Sequence, residues 1–128
     1  MKYATIRGMK LVIHGQIPSL KNAKKISVNS RTGKRFVRTE ARVKDFMDKA
    51  KQEISLQWSA VKTPVCVTYV FYNKDLRKHD IENQVATLND CLKEFLGDDD
   101  QMHIAEVVGR YAGVDRICPR AEIWIDET

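Results

Sequence analysis

Pro64-Val-Cys-Val-Thr-Tyr-Val-Phe-Tyr72, followed after a short loop by Asp80-Ile-Glu-Asn-Gln-Val-Ala-Thr-Leu-Asn-Asp-Cys-Leu-Lys-Glu-Phe-Leu96, decides the fold. The first piece is rich in β-branched and aromatic residues with few polar positions, so it reads as a central strand. The second carries Ile81, Val85, Leu88, Leu92 and Phe95/Leu96 at the helical period. These fall in one sector of about 100°, which predicts an amphipathic helix over 80–96. Glu82, Asn83, Ala86, Asn89, Asp90 and Lys93 fall on its other side, and Gly97 can end it. The basic segment Asn73–His79 joins strand to helix.

Downstream, Gln101–Ala112 and Cys118–Asp126 read as two more strands, with apolar alternation over 121–125 in the second. Upstream, Thr39 is the expected N-cap of another helix. There Val43, Phe46, Met47, Ala50, Ile54 and Trp58 repeat in steps of three and four as one core-facing stripe. Before it, Ile26–Val28 and Arg35–Val37 flank a turn containing Gly33, which predicts a hairpin with a basic tip. Met9–Ile17 reads as a first strand, Pro18–Lys25 as a basic loop, and residues 1–8 as a lead-in or an extension of the strand. The order strand, hairpin, helix, strand, helix, strand, strand predicts a single α+β domain over 1–128, a mixed β-sheet with two main helices.

The chain has 128 residues, the size of one domain. Its 43% hydrophobic content supports a core and excludes a disordered tail. No apolar run approaches the roughly 18 residues of a membrane span, and no apolar signal core opens the chain. A soluble, cytoplasmic protein with no membrane partner is expected. Cys66, Cys91 and Cys118 are odd in number and widely spaced, which argues against a disulfide framework and a zinc finger.

Charge is divided along the chain. Residues 1–79 hold 18 Lys/Arg and 5 Asp/Glu, a net of +13, whereas residues 80–128 hold 4 and 12, a net of −8. Lys21–Lys44 is the densest basic stretch, with Glu40 its one acid. Such a block suits a polyanion, because each phosphate contact releases condensed counterions. A solvated basic face is the plainer reading of the same charges. A protein that holds a divalent cation against phosphate needs both halves.

The candidate acids stand at two places. Asp80 and Glu82 sit where the loop enters the second helix; there Asp80 is either an N-cap or a ligand directed with Glu82 at one point. Asp98, Asp99 and Asp100 follow the same helix at its far end, where a divalent cation or plain solvent would offset their repulsion. A helix of that length separates the two groups by about 25 Å, so they meet only if the chain folds back or a second subunit contributes. The three histidines are scattered. His79 adjoins Asp80, while His14 and His103 fall in predicted strands.

Together these features resemble the RusA family of Holliday junction resolvases, over about 9–125. The matching pieces are Ile17-Pro-Ser-Leu-Lys-Asn22, the run Arg77-Lys-His-Asp-Ile-Glu-Asn83, the helix step Asn89-Asp-Cys-Leu92 and Asp98-Asp-Asp-Gln101. The resemblance implies a RusA-like homodimer that nicks four-way (branched, double-stranded) DNA junctions symmetrically in recombination and repair, with Mg²⁺, or Mn²⁺ in its place. It implies Asp80, Glu82 and Asp99 as catalytic and metal-binding acids, with Asp98 as a further metal ligand. Lys21, Lys24, Lys25, Arg31, Lys34, Arg35, Lys74, Arg77 and Lys78 would then hold the DNA backbone. Two positions depart from the family pattern. Glu82 stands where Asp is usual, and Ala86 stands where a lysine is frequent. A catalytically weak or inactive junction-binding relative is the alternative reading.

Overall fold

The computed structural model describes residues 8–18, 24–28, 30–39, 41–77, 79–96 and 103–128, with the backbone alone at 24–28 and 35–39. In chain order the elements are β1 (Gly8–His14), β2 (Lys24–Val28), β3 (Arg35–Thr39), α1 (Ala41–Gln57), β4 (Val65–Asn73), α2 (Ile81–Leu96), β5 (Ile104–Val114) and β6 (Arg120–Glu127). A four-stranded sheet has the order β1-β6-β4-β5, and β2 pairs with β3 separately. β4 and β5 are parallel, whereas β6 runs antiparallel to both β4 and β1. This is the mixed sheet with two helices expected of an α+β chain.

β4 organises the core. Val65, Val67, Tyr69 and Phe71 are fully buried on one face, while Cys66, Thr68, Val70 and Tyr72 are half-buried on the other. The buried set joins Leu11 and Ile13 of β1, Ile123 and Ile125 of β6, Ala50 and Ile54 of α1, and Leu88 and Leu92 of α2. Both helices therefore cover the same face of the sheet. Full burial of each such side chain contributes about 1.5–3 kcal/mol. The helical stripes read from sequence are the buried ones: Phe46, Met47 and Trp58 pack against the core, as do Ile81, Val85 and Phe95.

Gly109 of β5 sets how closely α2 lies on the sheet. A Cβ there would stand 2.9 Å from Ile81 Cγ2 and 2.9 Å from Val85 Cγ2. The missing side chain is thus the seat of the first two turns of α2.

The two sheet edges are treated differently. On β1, the Gln57 side chain accepts the Val12 N–H at 2.8 Å and returns its own amide to the Val12 carbonyl at 2.9 Å. The His14 N–H is shared by both oxygens of Glu53, each at 3.3 Å. Side chains of α1 thus occupy hydrogen-bonding positions that another strand would take. β5, at the other edge, is 11 residues long and mostly exposed.

Some boundaries differ from the sequence expectation. Thr39 is not a helix cap; it ends β3, opposite Lys24. β1 stops at His14 rather than Ile17, because Gly15 turns the chain with φ +100°. α2 begins at Ile81, with Asp80 just outside it. β5 runs on to Val114, and residues 101–102 of the expected strand lie outside the described residues, as does Gly97. Gly33 has φ +70° in the hairpin connection, as its place in the predicted turn requires.

Replacing Gln57 by Ala leaves the edge groups of Val12 without these partners. Chemical denaturation should show a loss of about 1 kcal/mol, and light scattering should show earlier aggregation on heating. Unchanged values on both would mean that the Gln57 amide does not protect this edge.

Candidate functional site

Parallel strands β4 and β5 end on the same side of the sheet, and α2 starts there. β6 begins on that side, and its Arg120 lies opposite His14 at the end of β1. In open sheets the crevice beyond the carboxyl ends of parallel strands is a common binding position. Here hydrogen bonds link Gln16, Asn73, Lys74, Asp115 and Arg120, and the loop through Asp75 and His79 leads from them to Asp80.

Asp80 caps α2. Its Oδ1 accepts the Asn83 N–H at 3.3 Å, its Oδ2 accepts from Asn83 Nδ2 at 3.1 Å, and its carbonyl accepts the Gln84 N–H at 3.0 Å. The cap reading of this residue therefore holds in the geometry. The carboxylate is nonetheless exposed, and so is Glu82 in the first helical turn. Each oxygen retains acceptor capacity toward solvent, because a carboxylate oxygen has more than one lone pair.

Asp98 and Asp99 lie outside the described residues, with Asp100 beside them. Among the described residues no three His, Cys, Asp or Glu side chains group closely enough to hold a metal ion. The oxygen donors of Asp80 and Glu82 are of the type Mg²⁺ prefers, but they make only part of a ligand set.

The basic residues divide into two groups. Arg31 and Lys34 are exposed at the tip joining β2 to β3, and the backbone of Lys24, Lys25 and Arg35 lies in that hairpin. Lys74 and Arg77 are exposed in the loop that leads to Asp80. Lys21 and Lys78 lie outside the described residues. Asp75 binds this second loop together: it accepts from the Arg77 N–H at 3.0 Å and pairs with His79 Nε2 at 3.1 Å. The His79 hydrogen bond, with the Arg77 N–H adding to it, holds the Asp75 carboxyl below its ordinary pKa.

A polar cluster that the sequence reading did not single out lies directly beneath. Asn73 is 3% exposed and Gln84 1%. Asn73 Oδ1 accepts from Gln16 Nε2 at 2.9 Å and from Gln84 Nε2 at 3.1 Å. Gln84 Nε2 also donates to the Ile17 carbonyl at 3.0 Å, and Gln16 Oε1 accepts the Lys74 N–H at 2.7 Å. Thr87 donates to the Pro18 carbonyl at 2.9 Å. These bonds tie the segment after β1, the end of β4 and the start of α2 into one unit. Gln84 Oε1 is buried with no partner. The sequence signal was present: Gln84 stands three residues after Ile81 and four before Leu88, on the buried stripe.

On the neighbouring loop, Asp115 accepts from the Cys118 N–H at 2.9 Å and from Arg120 Nη1 at 2.9 Å. The Cys118 N–H chiefly, and then Arg120, keep the Asp115 carboxyl below its ordinary pKa. The Arg120 guanidinium also lies 3.8 Å from the centroid of Tyr72. Cys91 is fully buried, and that burial pushes its thiol up to about 12, so it remains a neutral thiol.

No family model matches this chain, and no curated protein matches it. No helix among the described residues is long and apolar enough to cross a membrane.

Replacing Asn73 by Leu removes the acceptor shared by the half-buried Gln16 amide and the buried Gln84 amide, leaving each with the Ile17 carbonyl alone. Denaturation should show a loss of about 1–3 kcal/mol for each uncompensated group, and a stability equal to the parent would remove Asn73 from its central place. Asp115 gives a pH signature. Its depressed folded pKa means that its contribution is present above the ordinary carboxylate range and lost as pH falls through the folded value. Asp115→Asn should therefore flatten the acid limb of a stability-against-pH curve, and an acid limb of unchanged slope would contradict the assignment.

Proposed function

We propose that this chain is a Mg²⁺-dependent endodeoxyribonuclease that nicks four-way DNA junctions as a homodimer. The observation that carries the reading is the pair of exposed carboxylates, Asp80 and Glu82, at the start of α2, with Lys74 and Arg77 in the loop before them. The resemblance to RusA-family resolvases supports it through the order of the basic run, the acid pair, the amphipathic helix and the second acidic group.

Each residue has a task in this reading. Lys74 and Arg77, with Arg31 and Lys34 of the hairpin, hold flanking phosphates without reading sequence. Asp80 and Glu82 supply hard oxygen ligands, and Asp99 the third, with Asp98 beside it. A Mg²⁺ held there would supply activation of a water and stabilisation of charge at the scissile phosphate. Asn83, which donates to both Asp80 oxygens, fixes how that carboxylate is presented.

Chain length supports a site made by two copies. α2 has 16 residues and is about 24 Å long. Three residues beyond Leu96 extend at most about 11 Å. Two aspartates that share one ion need their Cα atoms within roughly 11 Å, given Mg²⁺–oxygen distances near 2.1 Å. Asp99 of the same chain falls short of Asp80 by this arithmetic, whereas Asp99 of a second copy does not have this limit.

A binding protein without cleavage is the second reading. The engagement of both Asp80 oxygens by Asn83 favours it, as do Glu82 and Ala86. Nicking of a synthetic four-way junction with Mg²⁺ separates the two. The nuclease reading expects Asp80→Asn to lower the rate by at least about 100-fold, as loss of metal charge stabilisation would. It also expects an equimolar mixture of Asp80→Asn and Asp99→Asn chains to regain nicking, because one of the two shared sites is then intact. Junction binding without nicking in the parent chain selects the binding protein.

A further inference from the structure

We infer that β5 is the edge through which two copies of this chain join, antiparallel about a two-fold axis at Val108. The inference supplies the dimer surface of the proposed nuclease and takes its functional meaning from that reading.

The edge lacks two of the usual guards. Exposed edge strands are usually short, interrupted by proline or guarded by lysine. β5 has 11 residues and contains neither proline nor lysine, and its pairing with β4 is regular from Glu106 to Tyr111, between irregularities at Ala105 and Ala112. It exposes Val107 at 39% and Tyr111 at 53%. The opposite edge, β1, is by contrast occupied by Gln57 and Glu53.

Charge and size select the occupant and the register. Glu106 and Arg110 are both exposed and lie on one face of the sheet, opposite Cys66 and Val70 of β4. Neither forms an ion pair among the described residues. With Val108 on the axis, Glu106 stands opposite the partner's Arg110, and Arg110 opposite the partner's Glu106. Opposite charges in directly opposed strand positions stabilise pairing, and an isologous contact makes each favourable pair twice. On the other face the same register sets Val107 opposite the partner's Gly109, so a large side chain meets an open position. A shift of the axis by one residue in either direction opposes neither charged pair.

The pairing has a topological result. The start of β5, where the chain enters after its acidic sequence, then lies toward the partner's segment beyond Tyr111. That is the carboxyl end of the partner's β5, the end at which α2 and Asp80 begin. Antiparallel joining through β5 therefore carries the start of one copy's β5 to the Asp80 end of the other.

A charge exchange tests this. Arg110→Glu and Glu106→Arg each set like charges opposite one another and should weaken the dimer at least tenfold in sedimentation equilibrium. The double variant E106R/R110E should regain parental affinity. The two single variants mixed together should form a heterodimer, because each then offers the charge the other lacks. Both side chains are exposed, so circular dichroism and Tm should remain parental and separate association from folding. A parent chain that stays monomeric at micromolar concentration, single variants that dimerise as the parent does, or a double variant without rescue would each overturn the inference. Dimerisation that follows the charge exchange without junction nicking keeps the interface and removes the nuclease reading. Nicking by a monomeric chain does the reverse.

Discussion

The close seat of α2 on Gly109 is the constraint on which the rest of the molecule depends. Because no side chain rises from that point of β5, Ile81 and Val85 settle directly on the backbone. The helix start is thereby held at the carboxyl ends of two parallel strands. The same contact fixes the direction of the exposed acids, since Asp80 and Glu82 belong to the turn that Ile81 anchors. Apolar packing on one side of this turn thus sets the position of charge on the other.

The amide cluster beneath supplements that seat with direction. Apolar contacts tolerate sliding, whereas Asn73 Oδ1 accepting from both Gln16 and Gln84 allows few arrangements. A buried polar network of this kind rigidifies when it is satisfied and costs stability where it is not. Here one acceptor, Gln84 Oε1, is left over. The cluster lies where three loops must be held in register, which is where uniqueness of structure matters more than stability.

Much of this fold was legible in the residues. The apolar stripes of α1 and α2, the central β4 and the order of elements all follow from periodicities of 3.6 and 2. What escaped were features set by distant chain. Thr39 looked like a cap because a polar β-branched residue stood before a helical pattern, yet pairing with Lys24 drew it into β3. Gln84 and Thr87 were counted on neither side of the helix because they are polar, yet the carbonyls of Ile17 and Pro18 supply them with partners from across the fold. Asp80 and Glu82 were visible as candidate acids from their place at a helix start. The pair of hydrogen bonds from Asn83 to Asp80 was not, since it depends on the side-chain rotamers of that turn.

The Gln57 amide on Val12 closes one border of the sheet. A sheet open along both borders can accept a neighbour on each and grow without limit, as fibres do. With β1 sealed, any growth by strand addition has one direction, and a symmetric addition at β5 uses it up. The side chains of Gln57 and Glu53, far from the acids, would thereby hold an assembly joined at β5, as proposed, to two copies.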